Sequence, residues 1–353
     1  MKRVALIGCG EISKMHTNDF NVLSDIITPV GFCDIIRERA EAANERCGGV
    51  AKVYTDYKVM LDEVKPDIVF IAVPPYCHGE MEFELIERNI PFMVQKPMAL
   101  DIKLAKRIRD AIEEKGLVAG VYLQTRYSNY SEAARAFCKK NAIVHIDCTR
   151  IQGPAVPPTT AEWWGQKALS GGQMVESGIH NIDLLRYYMD AEVTEVSAFA
   201  TKGFVKGYDN FDIDEDVTAI LKFDNGAIAM VGSGAYATNG KYAYPNRTIL
   251  SACDRRAEMV MGRGTTIYGE VEATAESVKR DYGEVAELRE DGTIFVPRAN
   301  NPSPDCTRTF VEAVISGDTS KIRSTYADAY KTLAFLLACN ESIETGKTIK
   351  VEY

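Results

Sequence analysis

The sequence has no excess of positive charge, since 41 lysines and arginines stand against 50 aspartates and glutamates, a formal net charge of −9. Proteins that bind nucleic acid need a basic surface that displaces counterions from the phosphates, so we expect no nucleic-acid partner. No apolar run reaches the roughly 18 to 20 residues that cross a bilayer, so we also expect no membrane partner. Met1 leads into a strand-like run without the apolar core and cleavage site of a signal peptide, which predicts a cytoplasmic protein.

The sequence also lacks the residue patterns of disulfide and metal sites. Its nine cysteines form no C-x-x-C pair, which argues against a disulfide framework and against a thiolate zinc site. The chain has four histidines. The spacing of Glu176 and His180 resembles a metal-binding pair, but no H-E-x-x-H motif or third ligand cluster accompanies it. We therefore predict no bound metal.

Short apolar runs alternate with helix-like segments from residue 3 to about residue 122, which is typical of a parallel sheet covered by helices. After about residue 125, alternating strand-like runs dominate, and the dipeptide Asn225-Gly226 predicts a hairpin between two of them. A chain of 353 residues is long enough for two domains. We predict an α/β protein with a doubly wound parallel sheet in residues 1–123. The second domain, with a mostly antiparallel sheet, covers residues 124–353 and includes the C-terminal helices.

A glycine-containing loop follows the first predicted strand and opens a helix, as the fingerprint of a dinucleotide site requires. It consists of Gly8, Cys9, Gly10, Glu11, Ile12 and Ser13. The first glycine permits a tight turn, the second lets the backbone approach a pyrophosphate, and the small Ser13 permits close helix packing. The start of the helix offers N–H groups to the phosphates. The loop is therefore the predicted pyrophosphate site.

Asp34 ends the second predicted strand, 21 residues after Ser13. An acidic side chain at this place binds the ribose hydroxyls of a dinucleotide, although it also suits the start of a helix. A carboxylate repels the 2′-phosphate of NADP, so we expect NAD as the cofactor. Arg37 stands nearby in the sequence and keeps NADP as the less favoured alternative.

Two further segments end predicted strands, and we expect them at the carboxyl edge of the sheet, where doubly wound proteins bind ligands. The first holds Val73, Pro74 and His78, and the alternative for it is a stiff loop with a surface histidine. The second holds Gln95 and Lys96, and the alternative here is an ordinary solvated lysine. A lysine beside a cofactor can handle protons, so Lys96 is also a candidate catalytic residue. All five residues are assigned to the predicted cofactor site.

Glu176 and His180 stand four residues apart in a segment that is predicted to be helical. On a helix this spacing places both side chains on one face, so a carboxylate and an imidazole can point into one cleft. Trp164 belongs to a tryptophan pair that suits either the core or a cleft wall. These residues are the candidates for chemistry in the second domain.

In order and spacing, these motifs resemble the Gfo/Idh/MocA family, which includes glucose-fructose oxidoreductase and inositol dehydrogenase. The resemblance covers nearly the whole chain. It is carried by the glycine loop with His16, Asp34, Val73-Pro74-Pro75 with His78, Gln95-Lys96-Pro97, Arg126, Trp164, Ser170-Gly171-Gly172, Glu176-x-Gly178-x-His180 with Asp183, and the tail from Glu341 to Lys347.

The resemblance implies a Rossmann domain followed by an α/β domain whose open antiparallel sheet mediates homodimers or homotetramers. It also implies hydride transfer between NAD and a ring hydroxyl or carbonyl of a sugar, polyol or glycoside, including oxidation at C3 of a glycoside. In such a reaction His180 accepts the hydroxyl proton and Lys96 stabilises the developing alkoxide. Either Glu176 or Asp183 orients the imidazole.

The substrate contacts implied by the resemblance are Lys96, Arg126, Trp164, Glu176 and His180. Two positions depart from the family: Gln95 replaces the usual glutamate and removes a negative charge beside the lysine, and Glu176, a milder departure, stands where many members carry aspartate. Two other functions stay open. Some relatives are glycosidases that oxidise a sugar transiently without net redox, and a nucleotide-binding regulator would keep the fold without the chemistry. The retained lysine and histidine favour an enzyme over the regulator.

Overall fold

The computed structural model describes residues 1–151, 162–205, 211–237, 246–270 and 272–353. The chain forms two compact units. The first unit consists of Met1–Gln124 with Asn301–Tyr330, and the second consists of Thr125–Asn300 with Lys331–Tyr353.

The elements are numbered in chain order. The strands are β1 Lys2–Ile7, β2 Ile27–Cys33, β3 Lys52–Tyr54, β4 Ile68–Ile71, β5 Phe92–Val94, β6 Ala119–Val121, β7 His145–Ile151, β8 Val193–Thr201, β9 Asp216–Phe223, β10 Ile228–Gly234, β11 Arg247–Ala252, β12 Arg255–Val260, β13 Gly264–Tyr268, β14 Glu287–Leu288, β15 Ile294–Pro297 and β16 Ile349–Lys350. The α-helices are α1 Ser13–Val22, α2 Arg37–Arg46, α3 Tyr57–Val64, α4 Glu80–Glu87, α5 Ile102–Lys115, α6 Asn129–Lys140, α7 Lys167–Ser170, α8 Ile179–Met189, α9 Ala275–Tyr282, α10 Pro302–Ser316 and α11 Tyr326–Thr345.

The first unit holds a parallel sheet with the strand order β3-β2-β1-β4-β5-β6. The last four residues of β1 and all four residues of β4 are buried and apolar, as expected for strands that are covered on both faces. The strand order reverses between β1 and β4, which is where doubly wound sheets bind their ligands. The predicted α/β class and the doubly wound parallel sheet are confirmed.

Helix α10 belongs to the first unit, whereas the sequence-based division placed residues 301–330 with the second domain. Its hydroxyl groups bind a buried acid of α1, since Ser303 and Thr307 donate hydrogen bonds to Asp19 at 2.7 and 2.8 Å. Phe310 of the same helix is fully buried and packs against an aromatic ring of β4. The chain therefore returns to the first unit near its end, which a continuous division at residue 123 does not capture.

In the described part of the chain, the second unit holds a ten-stranded sheet with the order β14-β15-β13-β12-β11-β7-β10-β9-β8-β16. Its strands pair antiparallel, except for the parallel pair β7 and β10. Buried and exposed residues alternate along β9, so one face of the sheet is covered and the other is not. The mostly antiparallel sheet is confirmed. We call the uncovered side the open face; it carries Asp147, Thr149, Thr218, Ile220 and Met230.

The turn between β9 and β10 is the hairpin that Asn225-Gly226 predicts. Gly226 has a φ of +89°, which favours glycine, and its N–H donates to the carbonyl of Phe223. The side chain of Asn225 accepts a hydrogen bond from the N–H of Ala227 at 3.0 Å. The turn chemistry thus sets the register of the two strands. Among the residues that the structure describes, no helix has the length and apolar character needed to cross a bilayer.

Candidate functional site

The glycine loop connects β1 with α1 at the carboxyl end of the parallel sheet. Gly8 has a φ of +89°, and a Cβ there would overlap the carbonyl oxygen of Ala72, so only glycine fits. A Cβ on Gly10 would meet nothing within 4 Å, which leaves the backbone open to a ligand. Gly8 thus has the tight-turn role that the sequence predicts, and the pyrophosphate contact of Gly10 stays a prediction.

The first turn of α1 is held by backbone hydrogen bonds. Ile12 occupies the N-cap position without a side-chain cap, and the N–H groups of residues 13–15 donate to the carbonyls three positions before them at 3.1, 3.2 and 3.1 Å. The pyrophosphate contact of this turn stays a prediction. Ser13 is buried, donates to the carbonyl of Gly10 at 2.6 Å and accepts from Arg46 at 3.0 Å. The small side chain therefore packs and also fixes the turn.

Asp34 links the glycine loop to the end of β2. One carboxylate oxygen accepts the N–H of Cys9 at 2.8 Å, and the other accepts the N–H of Ile36 at 2.9 Å. Helix α2 begins only at Arg37, and no side chain caps it, so the helix-capping alternative is not what the structure shows. A carboxylate has about four acceptor sites, which leaves capacity for the two hydroxyls of a ribose.

The loop after β4 is anchored by a buried histidine. His78 Nδ1 lies 2.5 Å from an oxygen of Glu82, whose other oxygen accepts the N–H of Gly79 at 2.6 Å. The side chains of both partners are almost completely buried, so the surface-histidine alternative is wrong. Val73 and Pro74, at the start of the loop, stay partly exposed at the sheet edge. The histidine holds the loop in place, and these two residues border the predicted cofactor site.

The segment after β5 places Gln95 and Lys96 at the same edge. The N–H of Gln95 donates to the carbonyl of Ile71 in β4 at 2.8 Å, which extends the pairing of the two strands. Gln95 is 4% exposed, and its side chain reaches His16 of α1. Lys96 is partly buried, and its peptide bond with Pro97 is cis. The assignment of Lys96 to the cofactor site, rather than to solvent alone, stays a prediction.

In the second unit, Glu176 and His180 lie at a change of helix type. A π-helical turn, Met174–Gly178, precedes α8. From Gly171 to Tyr188, these two are the side chains that remain partly exposed, and the others are buried. Short π-helical turns occur frequently at functional sites. Both side chains are thus accessible to solvent, although the turn that carries Glu176 is not the α-helix that the spacing predicts.

Close packing against β10 holds this π-helical turn. A Cβ on Gly178 would come within 3.3 Å of the Cβ of Ser233, so glycine allows the turn to approach the strand. The side-chain amide of Gln173 donates to the hydroxyl of Ser233 at 3.2 Å. Packing and a buried hydrogen bond therefore fix the segment that carries the candidate acid and imidazole.

Arg126 and Asp183 bind each other inside the second unit. The guanidinium donates to both carboxylate oxygens, at 2.8 and 2.6 Å, and Thr332 adds a third hydrogen bond at 2.7 Å. Both side chains are almost fully buried. These contacts hold Asp183 to Arg126 and Thr332, and an orienting role of Asp183 toward His180 stays a prediction.

Trp164 lies in a small apolar cluster and not on an exposed wall. It is 7% exposed and packs with Ile213 and Ala235, with Trp163 and Phe211 at the border. Its ring centroid lies 6.2 Å from that of Phe211. Of the two alternatives that the sequence leaves open, the core environment is the one found. The substrate contact assigned to Trp164 stays a prediction.

Arg150 is a site residue that the sequence analysis missed. It extends from β7, and its Nε donates to the hydroxyl of Ser177 in the π-helical turn at 3.2 Å. Burial lowers the pKa of Arg150, while Cys148 and Glu176 act in the opposite direction. Arg150 follows the buried Ile146 and Cys148 at every second position of β7. A charged residue at an otherwise apolar series of strand positions was the feature of the sequence that could have identified it.

No group of three or more histidine, cysteine or acidic side chains is arranged to hold a metal ion in the ranges that the structure describes. The comparisons with known proteins agree on one family. Residues 2–123 match the family model described as the oxidoreductase family with an NAD-binding Rossmann fold, and residues 140–269 match the GFO/IDH/MocA C-terminal domain.

The chain is 26% identical over 359 residues to the scyllo-inositol 2-dehydrogenase (NAD(+)) of Bacillus subtilis, which covers 99% of this chain and 96% of that protein. It is 25% identical over 240 residues to the D-glucoside 3-dehydrogenase of Escherichia coli, with 64% of this chain and 68% of that protein covered. The WlbA dehydrogenase of Bordetella pertussis, solved with NADH and UDP-GlcNAcA, superposes with a TM-score of 0.78 at 19% identity, covering 100% and 99% of the two chains. The similarity to the WlbA dehydrogenase shows that the two chains share a fold.

Proposed function

The chain belongs to the Gfo/Idh/MocA oxidoreductase family and carries its NAD-binding domain, and we propose that it is a dehydrogenase of sugars, polyols or glycosides. The reaction is hydride transfer between NAD and a ring hydroxyl or carbonyl. The observation that carries the proposal is the position of Lys96, at the same sheet edge as the glycine loop and Asp34. There a lysine can serve a hydroxyl that reacts beside the nicotinamide.

The residues of the first unit fit NAD. The open space at Gly10 suits the close approach of a pyrophosphate, and the remaining acceptor sites of Asp34 suit the adenosine ribose. The carboxylate also disfavours a 2′-phosphate. When bound, the nicotinamide accepts or returns the hydride of the reacting carbon.

The chain's own residues handle the proton and the charge. In the oxidative direction the C–H bond loses its hydride and the O–H bond loses its proton, which we assign to an imidazole nitrogen of His180. The ammonium of Lys96 donates a hydrogen bond to the oxygen and stabilises the charge that develops there. We assign the orientation of the imidazole to Glu176, because Asp183 is occupied by Arg126 and Thr332.

Arg126 and Trp164 have indirect roles in this proposal. Arg126 is buried against Asp183, so it fixes α8 and thereby His180, and it does not need to touch the substrate. Trp164 shapes the apolar cluster that packs near α7. Oxidation at C3 of a glycoside is the finer form of the proposal, and the relative named as a D-glucoside 3-dehydrogenase supports it.

We also propose that copies of the chain associate through the open face, as homodimers or homotetramers. Exposed apolar residues cluster there, since Ile220, Ile228 and Met230 are 46%, 46% and 40% exposed. A groove of about 390 Å³ beside them is lined partly by Asp147 and Arg247, which gives a second copy both apolar and charged contacts. All nine cysteines are free thiols, which supports the proposal of a cytoplasmic location.

The test is to incubate the purified protein with NAD and a panel of polyols, aldoses and glycosides. We expect one class to produce reduced nicotinamide, seen by its absorbance, together with a product that is two hydrogens lighter. Nucleotide that stays bound without net reduction, with cleavage of a nitrophenyl glycoside, would overturn the proposal in favour of a glycosidase.

A further inference from the structure

We propose that His16 is a positioning residue for Lys96 and that it acts through the side chain of Gln95. The three residues form a chain of hydrogen bonds that links α1, the helix after the glycine loop, to the backbone of the lysine. The inference rests on the proposed function only through the role given to Lys96.

The two ends of the Gln95 amide have different partners. Its Oε1 accepts the N–H of Lys96 at 3.3 Å, and its Nε2 lies 2.9 Å from Nε2 of His16. The bond to the lysine N–H assigns the oxygen to that end, so the NH₂ group faces the imidazole. An NH₂ group only donates, so Nε2 of the histidine accepts and the ring carries its proton on Nδ1.

The surroundings of His16 keep the imidazole neutral. The side chain is fully buried, and its ring centroid lies 6.5, 5.7 and 4.8 Å from those of Phe20, Phe70 and Tyr122. Among the residues that the structure describes, Nδ1 has no hydrogen-bond partner and Gln95 is the single polar contact of the ring. Burial lowers the pKa of His16 to about 3. The side-chain amide of Gln95 therefore holds the neutral imidazole of His16 in one tautomer.

This arrangement makes the lysine backbone depend on α1. Ser13, at the start of the same helix, is bonded to the carbonyl of Gly10 in the glycine loop, and His16 follows one turn later. A change at the loop is thus passed through His16 and Gln95 to the N–H of Lys96. The hydrogen-bond chain coordinates the position of the lysine with that of the loop.

A carboxylate at position 95 would reverse the hydrogen-bond pattern. Glutamate has the same shape as glutamine, but it has no N–H to offer to Nε2. To keep the bond, the ring must move its proton from Nδ1 to Nε2. Gln95→Glu therefore tests the tautomer, whereas the apolar Gln95→Leu removes both bonds of the side chain.

The first experiment is nitrogen NMR of the imidazoles in the purified, ¹⁵N-histidine-labelled protein without substrate. The chain has four histidines, so the His16 signal is assigned by its loss in His16→Gln. We expect a protonated Nδ1 and an unprotonated Nε2 in the wild type, and the opposite pattern in Gln95→Glu. A protonated Nε2 in the wild type would overturn the inference, whether or not the protein is a dehydrogenase.

The second experiment is steady-state kinetics of Gln95→Leu with the substrate that reduces NAD. Loss of the positioning bonds is expected to lower kcat about tenfold, with a smaller change in the KM for NAD. Met93→Leu, a buried substitution in β5 that touches neither bond, is the packing control and should keep the wild-type kcat and His16 signal. A wild-type kcat in Gln95→Leu would overturn the positioning role and leave the dehydrogenase proposal intact.

Discussion

At the scale of single residues, the candidate chemistry depends on side chains whose surroundings differ sharply. Lys96 and His180 are partly exposed, whereas His16, His78 and Asp183 are buried and engaged with partners. A partly exposed lysine or imidazole can meet a substrate, and a buried one holds structure in place. This difference decides which residues we assign to the reaction and which to its support.

Loss of either reacting side chain should strongly reduce turnover without unfolding the protein. Lys96→Ala and His180→Ala are each expected to lower kcat by about 100-fold or more, because each removes a proton-handling or charge-stabilising group. Binding of NAD, followed by quenching of protein fluorescence, should be nearly unchanged. Lys103→Ala, which removes an exposed lysine of α5, is the control. Near-normal turnover in either active-site variant would remove that residue from the mechanism.

The buried His16 should make stability depend on pH. Burial lowers its pKa from 6.5 to about 3, so between these values the unfolded chain binds a proton that the folded chain does not. The free energy of unfolding therefore falls as the pH falls through this range, and the full contribution is present above the upper value.

In His16→Phe this dependence should disappear. Urea denaturation between about pH 7 and about pH 5 is expected to show a slope shallower by up to about 1.4 kcal/mol per pH unit than in the wild type. Asp19 and the other acids titrate in both proteins, so the difference isolates the histidine. Equal slopes would mean that the imidazole is charged in the folded protein or already neutral in the unfolded one.

At the scale of elements, the order of strands and helices along the chain was predictable. Which of them pack together in one unit was predicted less well. Apolar runs located β1, β4 and β5, and the glycine loop was placed correctly between β1 and α1. The three-residue β3 was not located, because a strand beginning with Lys52 has too short an apolar run to stand out. The spacing of apolar residues indicates which side chains are buried, but it does not indicate in which unit they are buried. The sequence therefore did not predict that α10 belongs to the first unit.

The candidate site was likewise only partly predictable from sequence patterns, because packing also determines its geometry. The spacing of Glu176 and His180 predicted that both side chains lie on one face of an α-helix. The π-helical turn that is found instead depends on the close approach of Gly178 to β10, and no local sequence pattern predicts that contact. The role of Asp183 could not be predicted, because its partner Arg126 lies far away in the sequence. Contacts between distant residues decide such roles.

The pairing of Arg126 with Asp183 should be measurable as stability. Asp183→Leu leaves a buried guanidinium without its acid and is expected to lower the free energy of unfolding by about 3 to 5 kcal/mol. The double variant Arg126→Leu with Asp183→Leu should recover much of this loss, because neither charge is then left alone. Urea denaturation gives both values. A double variant less stable than the single one would argue against the pairing as the cause.

At the scale of the whole molecule, the open face is a side of the large sheet that the described residues leave uncovered. Sedimentation is expected to show a dimer or tetramer for the wild type, and Ile220→Asp should shift it toward the monomer, because a charge would be buried in the contact. Val50→Asp places the same charge at an exposed apolar residue of the first unit and should leave the assembly unchanged. A wild-type monomer, or equal behaviour of the two variants, would refute association through this face.

The central claim is hydride transfer from a carbon of a sugar, polyol or glycoside to NAD. The most direct measurement uses inositol, glucose and a methyl glucoside that carry deuterium on their carbinol carbons, followed by mass spectrometry of the nicotinamide product. The account predicts reduced cofactor with one deuterium from at least one of these compounds, formed about 100-fold or more slowly by Lys96→Ala. Reduced cofactor without deuterium, or labelled cofactor formed at the wild-type rate by Lys96→Ala, would contradict it.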